Sequence, residues 1–331
     1  MVSPVRFRAS PSLTALDRHL RDDPLRLFDV GARGGFHERW DRFRPYLDVT
    51  GFEPDPVECE RLNREATSLP YRSRYLPHAL DRVERTGATF HVCEWEVASS
   101  IYEPNAELLE SFPYASRLFA VRERRPIDTT TLDAVCDEHG ARPDCLKLDV
   151  QGAELDVIAG GERAVDAALV LETEVEFAPL YRGQPLFADL DAHLRQRGWW
   201  LLGLRRNAWR RTAGVDRARN GDGGQVIYGD ALYVNGRALE AAQAAARMVK
   251  LLVILAAYRQ FDLFADLLEG AAGGLAAADR DELRSELAPG PGRLRRLASR
   301  LGGRLTANRR RALADSLQRG DATVWEDPGF F

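Results

Sequence analysis

The sequence has few cysteines, and no two of them are close together. Cys59, Cys93, Cys136 and Cys145 form no Cys-x-x-Cys pair. That excludes a zinc-site spacing or a disulfide frame and leaves ordinary thiols of a reducing compartment. A long apolar run is also missing. The longest, LLVILAAY from Leu251 to Tyr258, is far short of the roughly 20 residues that cross a bilayer, so no transmembrane segment is expected. The opening MVSPVRFRAS lacks the apolar stretch of a secretory signal. Positive charge is not in excess: 46 Lys and Arg against 50 Asp and Glu leave a net charge of −4. This excludes a general nucleic-acid binder and fits a cytoplasmic protein. No internal repeat or low-complexity tract stands out.

What is present is a chain of 331 residues, 45% hydrophobic, long enough for one large domain or a domain with an appendage. Leu25–Val30 is short, apolar and closed by glycine, the pattern of a buried strand. Helical spacing follows over Phe36–Tyr46, then a second strand in LDVTGFEP, ended by Pro54 after Glu53. Val57–Ala66 reads as a helix, YRSRYLPHAL as a third strand and ATFHVC as a short extra one. Trp95–Pro126 has no clear period, and an irregular segment of that length is usually a lid or binding loop. Beyond it, Thr130–His139 reads as a helix, DCLKLDV as a buried strand and Glu154–Gly160 as the opening of the next helix. The strand AALVLETEVEF and the helix Leu186–Gly198 come next, and then the strands WWLLGL and QVIYGDALYV around a polar, Gly-rich excursion. Strands alternating with helices predict a parallel sheet covered on both faces, with the last two strands as an antiparallel pair at one edge. From Arg237 the chain turns rich in Ala, Arg and Leu. The expected division is a lead-in over 1–24, a main domain over 25–236 and a C-terminal helical extension over 237–331.

The stretch LFDVGARGGFHERW places three glycines, Gly31, Gly34 and Gly35, between the first strand and the next helix. Glycines let a backbone approach a ligand closely, and helix starts offer free N–H groups. Glu53, at the end of the second strand, can accept both hydroxyls of a ribose. Loop and acid together predict a nucleoside site. The spacing is Gly-x-x-Gly-Gly instead of Gly-x-Gly-x-x-Gly, and Asp29 precedes it. A carboxylate there would repel a pyrophosphate but favour a sulfonium and an α-amino group, which points to S-adenosylmethionine.

Four segments in register carry a family resemblance: DVGARGG (Asp29–Gly35), FEPDP (Phe52–Pro56), TTTLDAV (Thr129–Val135) and LKLDVQGAELDVIAGG (Leu146–Gly161). From about Leu25 to Asn235 the chain resembles the FkbM-type methyltransferases, a family of S-adenosylmethionine-dependent enzymes. The resemblance implies a class I, Rossmann-like α/β fold: a mostly parallel seven-stranded sheet with helices on both faces and an antiparallel edge strand, here followed by a C-terminal helical extension. It implies that Asp29, Gly31, Ala32 and Gly35 hold the methionine part of the cofactor, Glu53 and Pro54 the ribose, and that His78, Ala79 and Leu80 lie near the adenine. Ser99, Ser100 and Tyr102, in ASSIYEP, resemble a segment facing the acceptor. The implied acceptor is a hydroxyl on a sugar, glycan or secondary metabolite. Arg33 stands where the family usually has Asn, and Gln151 where it usually has Glu.

Methyl transfer to a hydroxyl needs alignment and a place for the proton to go, a side chain or a metal-held oxygen. Asp149 ends the fourth strand beside the expected cofactor, and Glu154 falls in the first turn of the following helix. Each is either a catalytic group or a helix-capping and dipole-complementing acid. His78 and His91 are the histidines near the expected site, His78 being the base candidate. Lys147, inside an apolar strand, requires a carboxylate partner. Asp149, Glu172 and Glu174 are the possible ligands of a Mg²⁺, set against the commoner case of solvated acids. Tyr181, in PLYRGQP, is a second wall of the expected acceptor pocket or part of a rigid loop. Further on, Met248, Leu251, Leu252, Leu255 and Tyr258 recur at helical spacing and predict a stripe packed on the domain or on a second copy. Arg293–Arg311, with Leu294, Leu297 and Leu301, reads as a solvated face or a basic amphipathic helix for an anionic partner. The rival readings are a nicotinamide-dependent oxidoreductase on a similar sheet and a non-catalytic scaffold retaining the fold.

Overall fold

The computed structural model describes residues 14–112, 115–211, 224–241, 245–270 and 274–288. After α1 (Thr14–Leu20) come β1 (Leu25–Val30), a 3-10 helix (Glu38–Tyr46), β2 (Leu47–Phe52), α2 (Pro56–Ala66) and β3 (Arg72–Leu76). Next are β4 (Ala79–Leu80), β5 (Arg85–Cys93), α3 (Ala106–Leu109), α4 (Ala115–Leu118) and β6 (Val121–Thr130). Then follow α5 (Leu132–His139), β7 (Cys145–Leu148), α6 (Glu154–Gly160), α7 (Glu162–Ala167), β8 (Val170–Glu176) and α8 (Phe187–Gln196). The chain continues through β9 (Trp199–Trp209), β10 (Gln225–Asn235), α9 (Gly236–Ala241), α10 (Ala245–Ala257), α11 (Phe261–Glu269) and α12 (Ala277–Leu287).

Seven strands form one sheet in the order β3-β2-β1-β7-β8-β10-β9. Every pairing from β3 to β8 is parallel, and β10 runs antiparallel to both β8 and β9. The reversed strand therefore lies one in from the edge. Strands β1, β2, β7 and β8 are covered on both faces, which is why they read as nearly unbroken apolar runs. The order reverses between β1 and β7, the switch point at which open α/β sheets leave a crevice.

Two local differences from the sequence reading have plain causes. Within Phe36–Tyr46 the chain forms a 3-10 helix over Glu38–Tyr46, with Pro45 inside it and Trp40, Phe43 and Tyr46 buried. A three-residue spacing suits three residues per turn. The segment beginning at Trp95 is irregular only to Ala120, and Val121–Thr130 is a strand paired with β5 in a second sheet, β4-β6-β5. VRERRPIDTT gives no alternation because most of its side chains face solvent, and Pro126 sits mid-strand.

Helices α5 to α8 cover one face of the main sheet, packing on Phe28, Val30, Leu146, Leu148 and Leu171. The other face is closed by α1, the 3-10 helix and the C-terminal helices. The predicted stripe packs here: Met248, Leu251, Leu252 and Leu255 share one core with Leu27, Val49, Cys145, Val170 and Leu232. Each such leucine contributes roughly 1.5–3 kcal/mol of burial. Lys250, nearly fully buried on α10, lies 3.0 Å from Asp144 and 2.9 Å from Asp23. The change of composition at Gly236 is thus not a break in packing. Arg293–Arg311 and the Gly-rich excursion before β10 lie outside the described residues. Among those described, no helix is long and apolar enough to cross a membrane.

Candidate active site

A cleft opens over the carboxyl ends of β1, β2 and β7, where ligands bind in open α/β sheets. Its walls include Gly31, Arg33, Glu53, Pro54, Asp55, Asp149 and Gln151. The far end is closed by His78, Ala79 and Leu80, and the second sheet adds Phe90 and Val92, with Ser99 and Ile101 beyond them.

The chain leaves β1 through Gly31 at φ +84°, and a Cβ there would lie 1.9 Å from the Asp149 carbonyl oxygen. Only glycine lets the loop pass the end of β7 at that distance. Asp29, Lys147 and Glu172 are direct neighbours across β1, β7 and β8. Asp29 Oδ1 accepts from Lys147 Nζ at 3.1 Å, and Asp149 Oδ2 lies 3.6 Å from the same ammonium. Burial opposes the charge on Lys147, yet Asp29, Asp149 and Glu172 together hold it more basic than an ordinary lysine. Burial raises the Asp29 carboxyl, with Lys147 pulling the other way. Asp29 stands behind the loop and does not line the cleft. Ala32 is buried against Cys59, Leu62 and Tyr75, and the Gly35 N–H closes the turn onto the Ala32 carbonyl. Both support the loop and neither lines the cleft.

Glu53 is buried at the end of β2, its Oε1 accepting from the Asp55 N–H at 2.9 Å. Burial raises its carboxyl, and the Asp55 N–H and Arg33 oppose that. Arg33 lies 3.6 Å from Glu53 and 3.8 Å from Asp55, and donates to Glu96 at 2.9 Å. Arg122 holds the other Glu96 oxygen at 2.8 Å, and Arg125 reaches Asp55 at 3.1 Å. Three acids and three guanidinium groups thus alternate along this side.

The remaining predicted residues divide sharply. Asp149 lines the cleft, but Glu154 does not. The Glu154 oxygens accept from the Val150 N–H at 2.7 Å and the Gly152 N–H at 3.0 Å, closing the turn after β7. Its role is therefore to hold that turn, and burial raises its carboxyl to about 7. Of the metal candidates, Glu172 faces away, accepting from Arg39 at 3.2 Å and from the Tyr258 hydroxyl at 2.6 Å. Glu174 gathers instead with Glu154 and Glu176, carboxylate oxygens within 4.8 Å of one another, and Asp149 is not in that group. His78 lines the cleft, where burial lowers its basicity, with Glu138 opposing that and His139 adding to it. His91 is buried and bonded through its backbone to Ser100.

Ser99 lines the cleft and its Oγ accepts from the Cys93 N–H at 3.1 Å. Ser100, Tyr102 and Tyr181 do not line the cleft and form ties within the protein. Ser100 donates to the Gln151 carbonyl at 2.7 Å, Tyr102 to Asp156 at 2.6 Å, and the Tyr181 hydroxyl lies 2.9 Å from Gln151 Oε1 and from the Ala98 carbonyl. Sequence reasoning passes over Arg39 and His37 and reads Tyr258 only as part of the packing stripe. Nothing local marks Arg39 and Tyr258 as partners of Glu172, which they meet only through the fold. His37 Nδ1 accepts the Arg39 N–H at 3.0 Å, so the neutral ring carries its proton on Nε2 and offers no basic nitrogen.

Residues 29–199 match the family model described as the methyltransferase FkbM domain. The chain is 34% identical over 184 residues to the 2-O-methyltransferase NoeI of Sinorhizobium fredii, covering 52% of this chain and 71% of that protein. Among solved structures it is similar to a TehB-like SAM-dependent methyltransferase from Corynebacterium glutamicum, at 11% identity and a TM-score of 0.29 over 67% of this chain and 86% of that one. It is also similar to TehB from Haemophilus influenzae, at 9% identity and a TM-score of 0.33 over 69% and 63%.

Proposed function

The chain belongs to the FkbM methyltransferase family, and from that premise we propose that it moves the methyl group of S-adenosylmethionine to a hydroxyl of a sugar, glycan or secondary metabolite. The observation that carries the reading is the facing of Glu53 and Asp149 across one cleft, with the Gly31 turn between them. The residues present fit the cofactor. Glu53 has one oxygen held by the Asp55 N–H, which leaves the other for ribose hydroxyls. Ala79 and Leu80 offer an apolar wall at the far end, and the Gly31 turn brings backbone close to the methionine part. That Asp29 acts from behind the loop, through the Lys147 ammonium, is part of the same proposal.

Bound there, the cofactor supplies a methyl carbon on a sulfonium, from which an oxygen nucleophile displaces a neutral thioether. The protein's part is alignment, a factor that supplies roughly 7–11 kcal/mol in well-oriented reactions. It must also take the hydroxyl proton. Asp149 is the acid on the cleft wall in place to do so. An oxygen acceptor is supported by the relative that is a 2-O-methyltransferase.

Calorimetry with S-adenosylmethionine, S-adenosylhomocysteine and NAD tests the cofactor. Heat with the two sulfur compounds and none with NAD is expected, and the reverse would favour an oxidoreductase. Transfer of a labelled methyl group to a panel of glycosides and phenols tests the acceptor class. Labelling of amines or carboxylates alone would overturn the hydroxyl reading.

A further inference from the structure

Gln151 is the residue on the cleft wall with the least ordinary backbone. Its φ is +59°, a left-handed conformation that L-residues other than glycine rarely adopt. The Ser100 hydroxyl, donating to the Gln151 carbonyl at 2.7 Å, helps hold it there. The side chain so aimed meets three groups. Nε2 donates to Asp149 Oδ1 at 3.1 Å and to Glu174 Oε2, while Oε1 lies 2.9 Å from the Tyr181 hydroxyl.

The proton inventory fixes which way the amide faces. The Asp149 carboxylate can only accept, and the amide nitrogen supplies the donor, its second N–H meeting Glu174 Oε2. Turned over, the amide would set its carbonyl oxygen against Asp149. The buried Tyr181 hydroxyl lies 2.9 Å from the amide's carbonyl end and from the Ala98 carbonyl, with one proton for the two acceptors. Asp149 Oδ1 is thereby committed, and Oδ2, with Lys147 Nζ 3.6 Å away, is the oxygen left to meet an acceptor hydroxyl.

We propose that Gln151 is a positioning residue that holds Asp149 for proton uptake by bridging it to Glu174. This role rests on the methyltransferase reading of the cleft. A glutamate at this position would have no donors when ionised and would add a third carboxylate to the pair.

The test compares the parent with Gln151→Glu, Gln151→Gly and Tyr181→Phe, using a glycoside that the parent methylates. S-adenosylhomocysteine affinity and melting temperature are measured beside kcat and both KM values across about pH 5 to 9. All variants are expected to bind S-adenosylhomocysteine within about twofold of the parent. Gln151→Glu is expected to lose kcat by about tenfold or more and to move the acid limb of its pH profile up by about one unit. Gln151→Gly, which relieves the backbone and removes the donors, loses kcat without losing stability. Tyr181→Phe loses about threefold, with no change in acceptor KM. A Gln151→Glu enzyme with parental kcat and pH profile overturns the positioning role while leaving the methyltransferase reading intact. If Gln151→Glu does not fold, Gln151→Gly with a parental kcat and pH profile overturns it equally. A parent that neither binds S-adenosylhomocysteine nor methylates overturns the reading beneath it, and the role with it.

Discussion

Lys147 Nζ lies 3.1 Å from Asp29 Oδ1, and this pair ties the central strand β1 to β7 directly under the cleft. Asp29 is buried, so removing its partner leaves a carboxylate without compensation. Breaking a fully buried pair from one side typically costs about 3–5 kcal/mol. The Lys147 side chain keeps 32% of its exposure, so Lys147→Met is expected to cost somewhat less, about 2–3 kcal/mol in urea denaturation. Adding Asp29→Asn should return part of that loss. A double variant no more stable than Lys147→Met would show that the pair is not the cause.

Gly31 and Gly34 both have positive φ, but they differ in what surrounds them. A Cβ on Gly31 meets the Asp149 backbone, whereas one on Gly34 meets nothing within 4 Å. Gly34→Ala therefore carries only the left-handed penalty, about 1–2 kcal/mol. Gly31→Ala must also push β1 and β7 apart, so it is expected to lose clearly more stability and most S-adenosylhomocysteine binding. Equal melting points for the two variants would mean that the loop yields without disturbing β7.

Arg33 spans the cleft side between Glu53 and Glu96, with Asp55 3.8 Å away, and its contacts with the first two are unequal, 3.6 Å against 2.9 Å. Ribose hydroxyls competing for Glu53 would displace only the longer one. Glu53→Ala is expected to weaken S-adenosylhomocysteine binding by about 1.5–3 kcal/mol, the worth of hydrogen bonds to a charged group. Arg33→Ala should change it by less than about threefold. Calorimetry that ranked the two variants the other way would make Arg33, not Glu53, the principal cofactor contact.

The sequence was readable where one physical demand acts on a whole segment. Strands β1, β2, β7 and β8 are covered on both faces, so their composition announces them. Strand β6 has solvent over most of its length, and its charges and Pro126 hid it. The cleft residues Gly31, Glu53 and Asp149 follow from position, since strand ends in an open α/β sheet converge. In the sequence Glu154 and Tyr181 each read as chemistry or as structure, and the family resemblance sets Ser100 and Tyr102 at the acceptor. Each instead turns inward to satisfy a backbone group or another buried side chain. That choice depends on which donors are left buried nearby, a tertiary property. The link from Glu172 to Tyr258 spans 86 positions and has no local trace.

The acids Glu154, Glu174 and Glu176 make stability depend on pH in an unusual direction. Burial raises all three carboxyls, Glu154 to about 7 and the other two well above the ordinary range. Below the ordinary glutamate value of about 4.3 they are protonated whether folded or unfolded, and their contribution is fully present. As pH rises, the unfolded chain releases these protons first, so the folded state loses stability up to and through about pH 7. The Glu154 shift alone corresponds to about 3 kcal/mol. Melting temperature is therefore expected to fall between about pH 5 and 8, and Glu176→Gln should flatten the decline. Relief is expected from protons, each Glu154 oxygen already accepting one backbone N–H group. Millimolar Mg²⁺ should leave the melting point at pH 8 unchanged, and EDTA should leave methyl transfer unchanged. A rise with Mg²⁺ together with a loss in EDTA would instead make the cluster a cation site.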